Sequence, residues 1–252
     1  MKSTKDTRLA VLIDADNIPY ANVQGMLQEV AKYGTPTFKR IYGDWTNPLL
    51  TGWKSVLLEN AITPIQQYGY TKGKNATDSA MIIDAMDILY TDKVDGFCIV
   101  SSDSDFTRLA TRLREAGMLV IGMGEKKTPN PFIVACDKFI YLEILAPSNV
   151  IAEEARKTKE TKSTKEETLR KIDTATINLL LDTVLDLADD SGWAFLGEVG
   201  SLILKKKPDF DPRNFGFVKL APLIKSTGKF EIEERESDKR SSKLVYVRAK
   251  DQ

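Results

Sequence analysis

Along the first 145 positions, short unbroken apolar runs alternate with stretches whose apolar residues recur at helical spacing. Leu9-Ala10-Val11-Leu12-Ile13 is the first such run, as expected of a strand buried on both faces of a parallel sheet. It ends in Asp14-Ala15-Asp16-Asn17. Val23, Leu27, Val30 and Ala31 then mark a helix, with Gly34 as its expected stop. The pattern predicts a second strand over 37–42, a helix over 48–60 with Leu49, Trp53, Val56 and Leu57 on one face, and a third strand over 62–68. Pro64 interrupts that strand and puts it near a sheet edge. A loop rich in Gly, Lys and Asn follows. Thr77 is the expected N-cap of the next helix, with Asp78 in its first turn and Met81, Ile82, Ala85, Ile88 and Leu89 on its apolar side.

The run 97–100 reads as a central strand that delivers Ser101-Ser102-Asp103-Ser104-Asp105 to its carboxyl end, just before a helix carrying Phe106, Leu109, Ala110 and Leu113. Two further strands are expected over 118–123 and 139–145. This β-α-β-α alternation specifies a layered α/β domain with a mostly parallel sheet. From 152 to 170 Lys, Glu, Thr and Ser dominate, which marks a charged linker, flexible or a solvated helix. Beyond it, Ile177, Leu180, Leu181, Val184, Leu185 and Leu187 predict an amphipathic helix. Two more helices are expected over 196–204 and 215–225, then a hairpin from 229–234 and 244–248. Three helices and a terminal hairpin make a winged-helix pattern. The expected domains are 1–147 and 168–252, joined by 148–167.

Charge and composition narrow the chemistry. The 252 residues hold 36 basic and 36 acidic side chains, so any affinity for nucleic acid must come from local patches. Cys98 and Cys136 are the two cysteines, too few for a disulfide framework or a zinc site, and Cys98 reads as a core residue. The polar start of the chain lacks an apolar leader and no run reaches the roughly 18 residues of a membrane span, so a cytoplasmic protein without membrane attachment is expected. The absence of histidine removes Ser-His-Asp and Cys-His nucleophiles and a His general base. Hydrolysis would then rest on carboxylates and an activated water.

The carboxylates are suitably placed. In a parallel sheet Asp14, Asp78, Asp103 and Asp105 all fall at the carboxyl edge or at adjacent helix starts, where ligands of open α/β sheets bind. Converging aspartates require a divalent cation or shifted pKa values. Such a cup suits Mg²⁺ or Mn²⁺ with a water as nucleophile on a phosphodiester. Each aspartate alone has the alternative role of helix cap or turn residue. Asp84 lies in an apolar stretch and is expected to be a buried supporting residue.

Three segments in this order, Leu12-Ile13-Asp14-Ala15-Asp16-Asn17, Lys74-Asn75-Ala76-Thr77-Asp78 with Asp84 six residues on, and Val100-Ser101-Ser102-Asp103-Ser104-Asp105-Phe106, resemble the NYN domain family, the bacterial LabA-like relatives of PIN-domain nucleases. The resemblance implies a PIN-like Rossmannoid fold and metal-dependent cleavage of RNA. It implies that Asp14, Asp78, Asp103 and Asp105 form the acidic cup, supported by Asn17 and by Ser101 or Ser102. Ser102 stands where the family usually has glycine. Lys74 matches a family lysine and, with Lys72, is a candidate RNA contact, an ordinary loop lysine being the alternative.

Trp193-Ala194-Phe195-Leu196-Gly197-Glu198-Val199-Gly200, the segment from Phe210 to Leu220, and Phe230-Glu231-Ile232 resemble the OST-HTH or LOTUS domain. This implies binding of RNA or of protein partners. Lys205, Lys206, Lys207, Arg213 and Lys225 are the candidate phosphate contacts, against the alternative of a solvated basic turn. Phe195, Phe210, Phe215 and Phe217 are expected in the core. Two other functions stay open at this point. One is a non-catalytic RNA- or protein-binding adaptor; the other is a haloacid-dehalogenase-type phosphatase with an aspartyl nucleophile, which Asp14-Ala15-Asp16 with Ser102-Asp103 and Asp105 loosely fits.

Overall fold

A computed structural model describes residues 6–68, 76–145, 171–236 and 243–250. The chain divides into two compact units, Met1–Lys159 and Glu160–Gln252, each described here by itself. The expected boundaries at 147 and 168, and the charged linker between them, lie outside the described residues.

The first unit contains β1 (Arg8–Asp14), α1 (Val23–Val30), β2 (Thr35–Gly43), α2 (Trp53–Glu59), β3 (Thr63–Gln66), α3 (Ala76–Tyr90), β4 (Gly96–Val100), α4 (Thr107–Glu115), β5 (Leu119–Gly124), α5 (Asn130–Ala135) and β6 (Lys138–Tyr141). Six strands form one sheet in the order β3-β2-β1-β4-β5-β6, every pair parallel. Strand alternation divides the core into two layers. Ala10, Leu12, Tyr42, Phe97 and Ile99 meet Met81 and Ala85 of α3, Leu109 and Leu113 of α4 and Phe132 of α5. Leu9, Val11, Ile13, Cys98 and Val100 meet Val23, Met26 and Val30 of α1 and Trp53 and Leu57 of α2. Cys98 is a packed thiol in this second layer, its pKa pushed up to about 12 by burial. Pro64 does sit on an edge strand, where the missing N–H is harmless.

Several local expectations are corrected. The 48–60 helix is a 3-10 turn, Pro48–Leu50, followed by α2. Asn47 caps that turn by accepting from the Leu49 amide (3.0 Å). The break shifts the apolar phase by one residue, so Leu50 is buried and Leu49 is 86% exposed. Gly34 does not stop α1, which ends at Val30; it passes the Thr7 carbonyl so closely that a Cβ would lie 2.1 Å from that oxygen. Helix α3 begins at Ala76, so Thr77 lies inside its first turn instead of capping it. The last strand stops at Tyr141 and continues as a 3-10 turn, Leu142–Ile144. Helix α5 was not expected; Pro129 and Pro131 at its start set the entering φ and disguise a helix of only six residues.

The second unit contains α6 (Thr174–Leu187), β7 (Trp193–Phe195), α7 (Leu196–Lys206), α8 (Leu220–Ser226), β8 (Phe230–Glu236) and β9 (Lys243–Ala249), with an antiparallel sheet ordered β7-β9-β8. Asp173 caps α6 by accepting from the Thr176 amide (2.8 Å). Leu180 and Val184 of α6 are buried, and Leu185, expected beside them, is 63% exposed because it falls off that stripe. The 215–225 helix is split in two. A 3-10 turn (Pro212–Phe215) ends at Gly216 with φ +83°, and α8 starts only at Leu220. Phe210 and Phe215 are core residues, while Phe217 packs partly buried against the core. Among the described residues no helix is long and apolar enough to cross a membrane.

Candidate metal centre

Strands β2 and β3 extend the sheet to one side of β1, and β4, β5 and β6 extend it to the other. The order therefore reverses between β1 and β4. In open α/β sheets the crevice beyond such a reversal, at the carboxyl ends of the strands, is where ligands bind. Asp14 is the last residue of β1, and Asp103 and Asp105 follow β4 by a few residues. Asp78 comes to the same edge from the first turn of α3.

Asp78, Asp103 and Asp105 each offer a carboxylate oxygen, and these three atoms lie within 4.8 Å of one another. Asp78 is 9% exposed. Burial, then the charges of Asp14, Asp103, Asp105 and Asp16, raise its pKa from 3.8 to about 6. Burial and the gathering of like charges both disfavour the charged form, which gives that direction.

The fourth expected member, Asp14, lies close enough for its charge to act on Asp78. Asp14 is 1% exposed, and both its oxygens accept hydrogen bonds. Oδ1 takes the Asp16 amide (3.1 Å); Oδ2 takes the Asn17 side-chain amide (2.6 Å) and the Ser101 hydroxyl (2.7 Å). Burial raises the Asp14 pKa and these three donors oppose the rise.

Ser101, fully buried, joins the two strand ends. Its hydroxyl donates to Asp14 and accepts from the Asp103 amide (3.1 Å). Asp103 then accepts from the Asp105 amide (2.9 Å), which bends the chain into the 3-10 turn 104–106. Ser102 turns elsewhere. Its hydroxyl accepts from the Glu125 amide (2.9 Å) and ties this turn to the end of β5.

Asp84 has its partners on β2: Arg40 donates to one of its oxygens and the Tyr42 hydroxyl to the other. Neither Arg40 nor Tyr42 was singled out from the sequence. The available signal was an arginine just before the apolar end of β2, Ile41-Tyr42, since a cation entering a buried layer calls for a carboxylate.

Lys72 and Lys74 lie outside the described residues. In the second unit Lys205 and Lys225 are exposed in the last turns of α7 and α8. Lys206 donates to Asp186 (2.7 Å) and Thr183 (3.3 Å). Arg213 grips Asp211 through two donors (3.0 and 2.7 Å), and Lys207 is half-buried. The five cations are thus unequal: Lys206 and Arg213 already serve carboxylates of their own unit.

The family profile of the NYN domain matches residues 8–143, and that of the OST-HTH/LOTUS domain matches residues 167–241. The chain belongs to the NYN domain family. NYN domains are nucleases of the PIN-like superfamily and OST-HTH domains bind RNA. Among solved structures, a protein of unknown function from Vibrio parahaemolyticus RIMD 2210633 aligns at 19% identity over 56% of this chain and 96% of its own, with a TM-score of 0.48. An uncharacterized protein from Nitrosomonas europaea, solved by solution NMR, aligns at 33% identity over 38% of this chain and 89% of its own, with a TM-score of 0.31. No curated protein matches the chain. NYN and PIN-like nucleases usually use divalent metals, and this NYN chain's aspartate trio is an all-oxygen donor set of the kind hard cations take.

Proposed function

We propose that this chain is a divalent-metal-dependent ribonuclease whose reaction centre lies at the β1/β4 edge and whose second unit holds RNA. The observation that carries the reading is the gathering of Asp78, Asp103 and Asp105 within 4.8 Å where the sheet order reverses. These three would hold Mg²⁺ or Mn²⁺. When bound, such a cation polarises a phosphoryl oxygen and makes a nucleophile of water near neutral pH.

The chain's own groups have separable tasks in this reading. Asp78, Asp103 and Asp105 supply the negative charge. Asp14 adds to the field from a buried position and, through Ser101, fixes where the Asp103 backbone lies. Asn17 holds Asp14 in a single orientation. With no histidine in the chain, proton transfer falls to carboxylates and solvent. In the second unit, exposed Lys205 and Lys225 are the better phosphate contacts, since neutralising phosphates with Lys206 or Arg213 would first break their ion pairs. The aspartyl-phosphatase alternative is weakened by the same geometry: a nucleophile needs a free oxygen lone pair facing substrate, and Asp14 is sealed and hydrogen-bonded at both oxygens.

The test is cleavage of labelled single-stranded RNA by the full chain, with Mn²⁺, Mg²⁺ or chelator. Cleavage should need the metal and fall by more than about 100-fold in Asp103→Asn, beyond the 10–100-fold cost of losing an outer partner of a ligand. Equal cleavage in chelator, or by the variant, overturns the reading. RNA binding with no cleavage under any metal would favour the adaptor.

A further inference from the structure

Asp84 is one of two carboxylates on α3, with Asp87, that the trio does not use, and its surroundings couple the helix to the strand beside the centre. Tyr42 is the cross-strand partner of Asp14 in the β1–β2 pairing. The next amide, that of Ala15, donates to the Tyr42 carbonyl (3.0 Å). The backbone of Tyr42 therefore holds the end of β1, from which Asp14 extends.

The Tyr42 side chain is fully buried in the layer facing α3, where its hydroxyl donates to Asp84. Arg40, on the same face two residues earlier, donates to the other Asp84 oxygen. One carboxylate of α3 is thus held at both oxygens from a single strand. Asp78 lies six residues nearer the helix start, about 9 Å along the axis at 1.5 Å per residue. Fixing Asp84 fixes both the slide and the rotation of α3, and so the height at which Asp78 meets Asp103 and Asp105.

Apolar packing contributes to that register without a directional bond. Met81 and Ala85 are buried against the sheet, but they are non-directional contacts. A partly buried ion pair adds little stability over an apolar pair of equal volume, whereas its geometry is directional. We propose that Arg40 and Tyr42 are positioning residues that act through Asp84 to set Asp78 against Asp14, Asp103 and Asp105. This deepens the metal-dependent reading above and rests on it.

The test compares full-length wild type, Tyr42→Phe, Asp84→Asn and a control, Ile88→Val, in the buried face of the same helix. Mn²⁺ affinity is read by calorimetry, and kcat and KM on single-stranded RNA are measured in parallel. Tyr42→Phe and Asp84→Asn should bind Mn²⁺ about 10–100-fold more weakly, with kcat lowered and the KM for RNA unchanged. Ile88→Val should lose thermal stability and keep its Mn²⁺ affinity. Unchanged Mn²⁺ affinity in Tyr42→Phe, or equal weakening in the control, overturns the inference and leaves the metal reading standing. Tyr42→Phe keeps the ring and decides the matter even where Asp84→Asn does not fold. A wild type that binds no Mn²⁺ overturns the reading of the centre itself.

Discussion

At the scale of single residues, Ser101 does the most with one atom. It donates to Asp14 and receives the Asp103 amide, so it joins two strand ends that are 87 positions apart in sequence. Replacing it with alanine strips a donor from a buried carboxylate and an acceptor from a backbone amide. The expected cost is about 1–3 kcal/mol of folding stability, measured by chemical denaturation; a change within a few tenths would contradict the bridging role. Asp78 gives a second prediction. Its folded pKa of about 6 exceeds the ordinary 3.8, so the folded chain binds the extra proton in that window. Its contribution to stability is greatest below the lower value, declines as pH rises through about 6, and is level above. In chelator, the melting temperature of wild type should therefore fall relative to Asp78→Asn between about pH 4 and pH 7. Parallel curves would contradict the shifted carboxylate.

At the scale of elements, the strands were legible and their neighbours less so. A strand buried on both faces reads as an unbroken apolar run, and residues 9–13 and 97–100 carry that signal without needing any partner. Short helices do not. Six residues starting between two prolines, as in α5, offer less than two turns of periodicity. The break at Gly216 and the 3-10 turn before α2 interrupt the helical spacing, which periodicity cannot register in so short a window. In the candidate centre, residue types and strand ends were visible because aspartates at the ends of parallel strands share an edge. Their division was not. That Asp14 accepts from Ser101, and that Asp84 accepts from Arg40 and Tyr42, depends on contacts between segments distant in sequence. The second unit's cations divide by the same logic. Lys225→Ala should weaken RNA binding and reduce the salt slope by about one. Arg213→Ala should instead lower the melting temperature of the second unit, since it leaves the 5%-exposed Asp211 without its bidentate partner. Circular dichroism melts and salt titrations of binding separate the two outcomes.

At the scale of the whole molecule, formal charge is balanced at 36 against 36, so no global field draws RNA to the chain. In the proposed reading, function rests on two local arrangements, an acidic edge that would hold a cation and a small unit with a few exposed lysines. Both sit beside closed cores, and the candidate carboxylates stand at strand ends and at the start of α3. The account stands or falls on the metal. A manganese anomalous difference map from a crystal of the full chain soaked in Mn²⁺ tests it most directly. The account predicts a peak within bonding distance of Asp78, Asp103 and Asp105, lost in Asp103→Asn. A map with no peak there, or with manganese only at other sites, would contradict it.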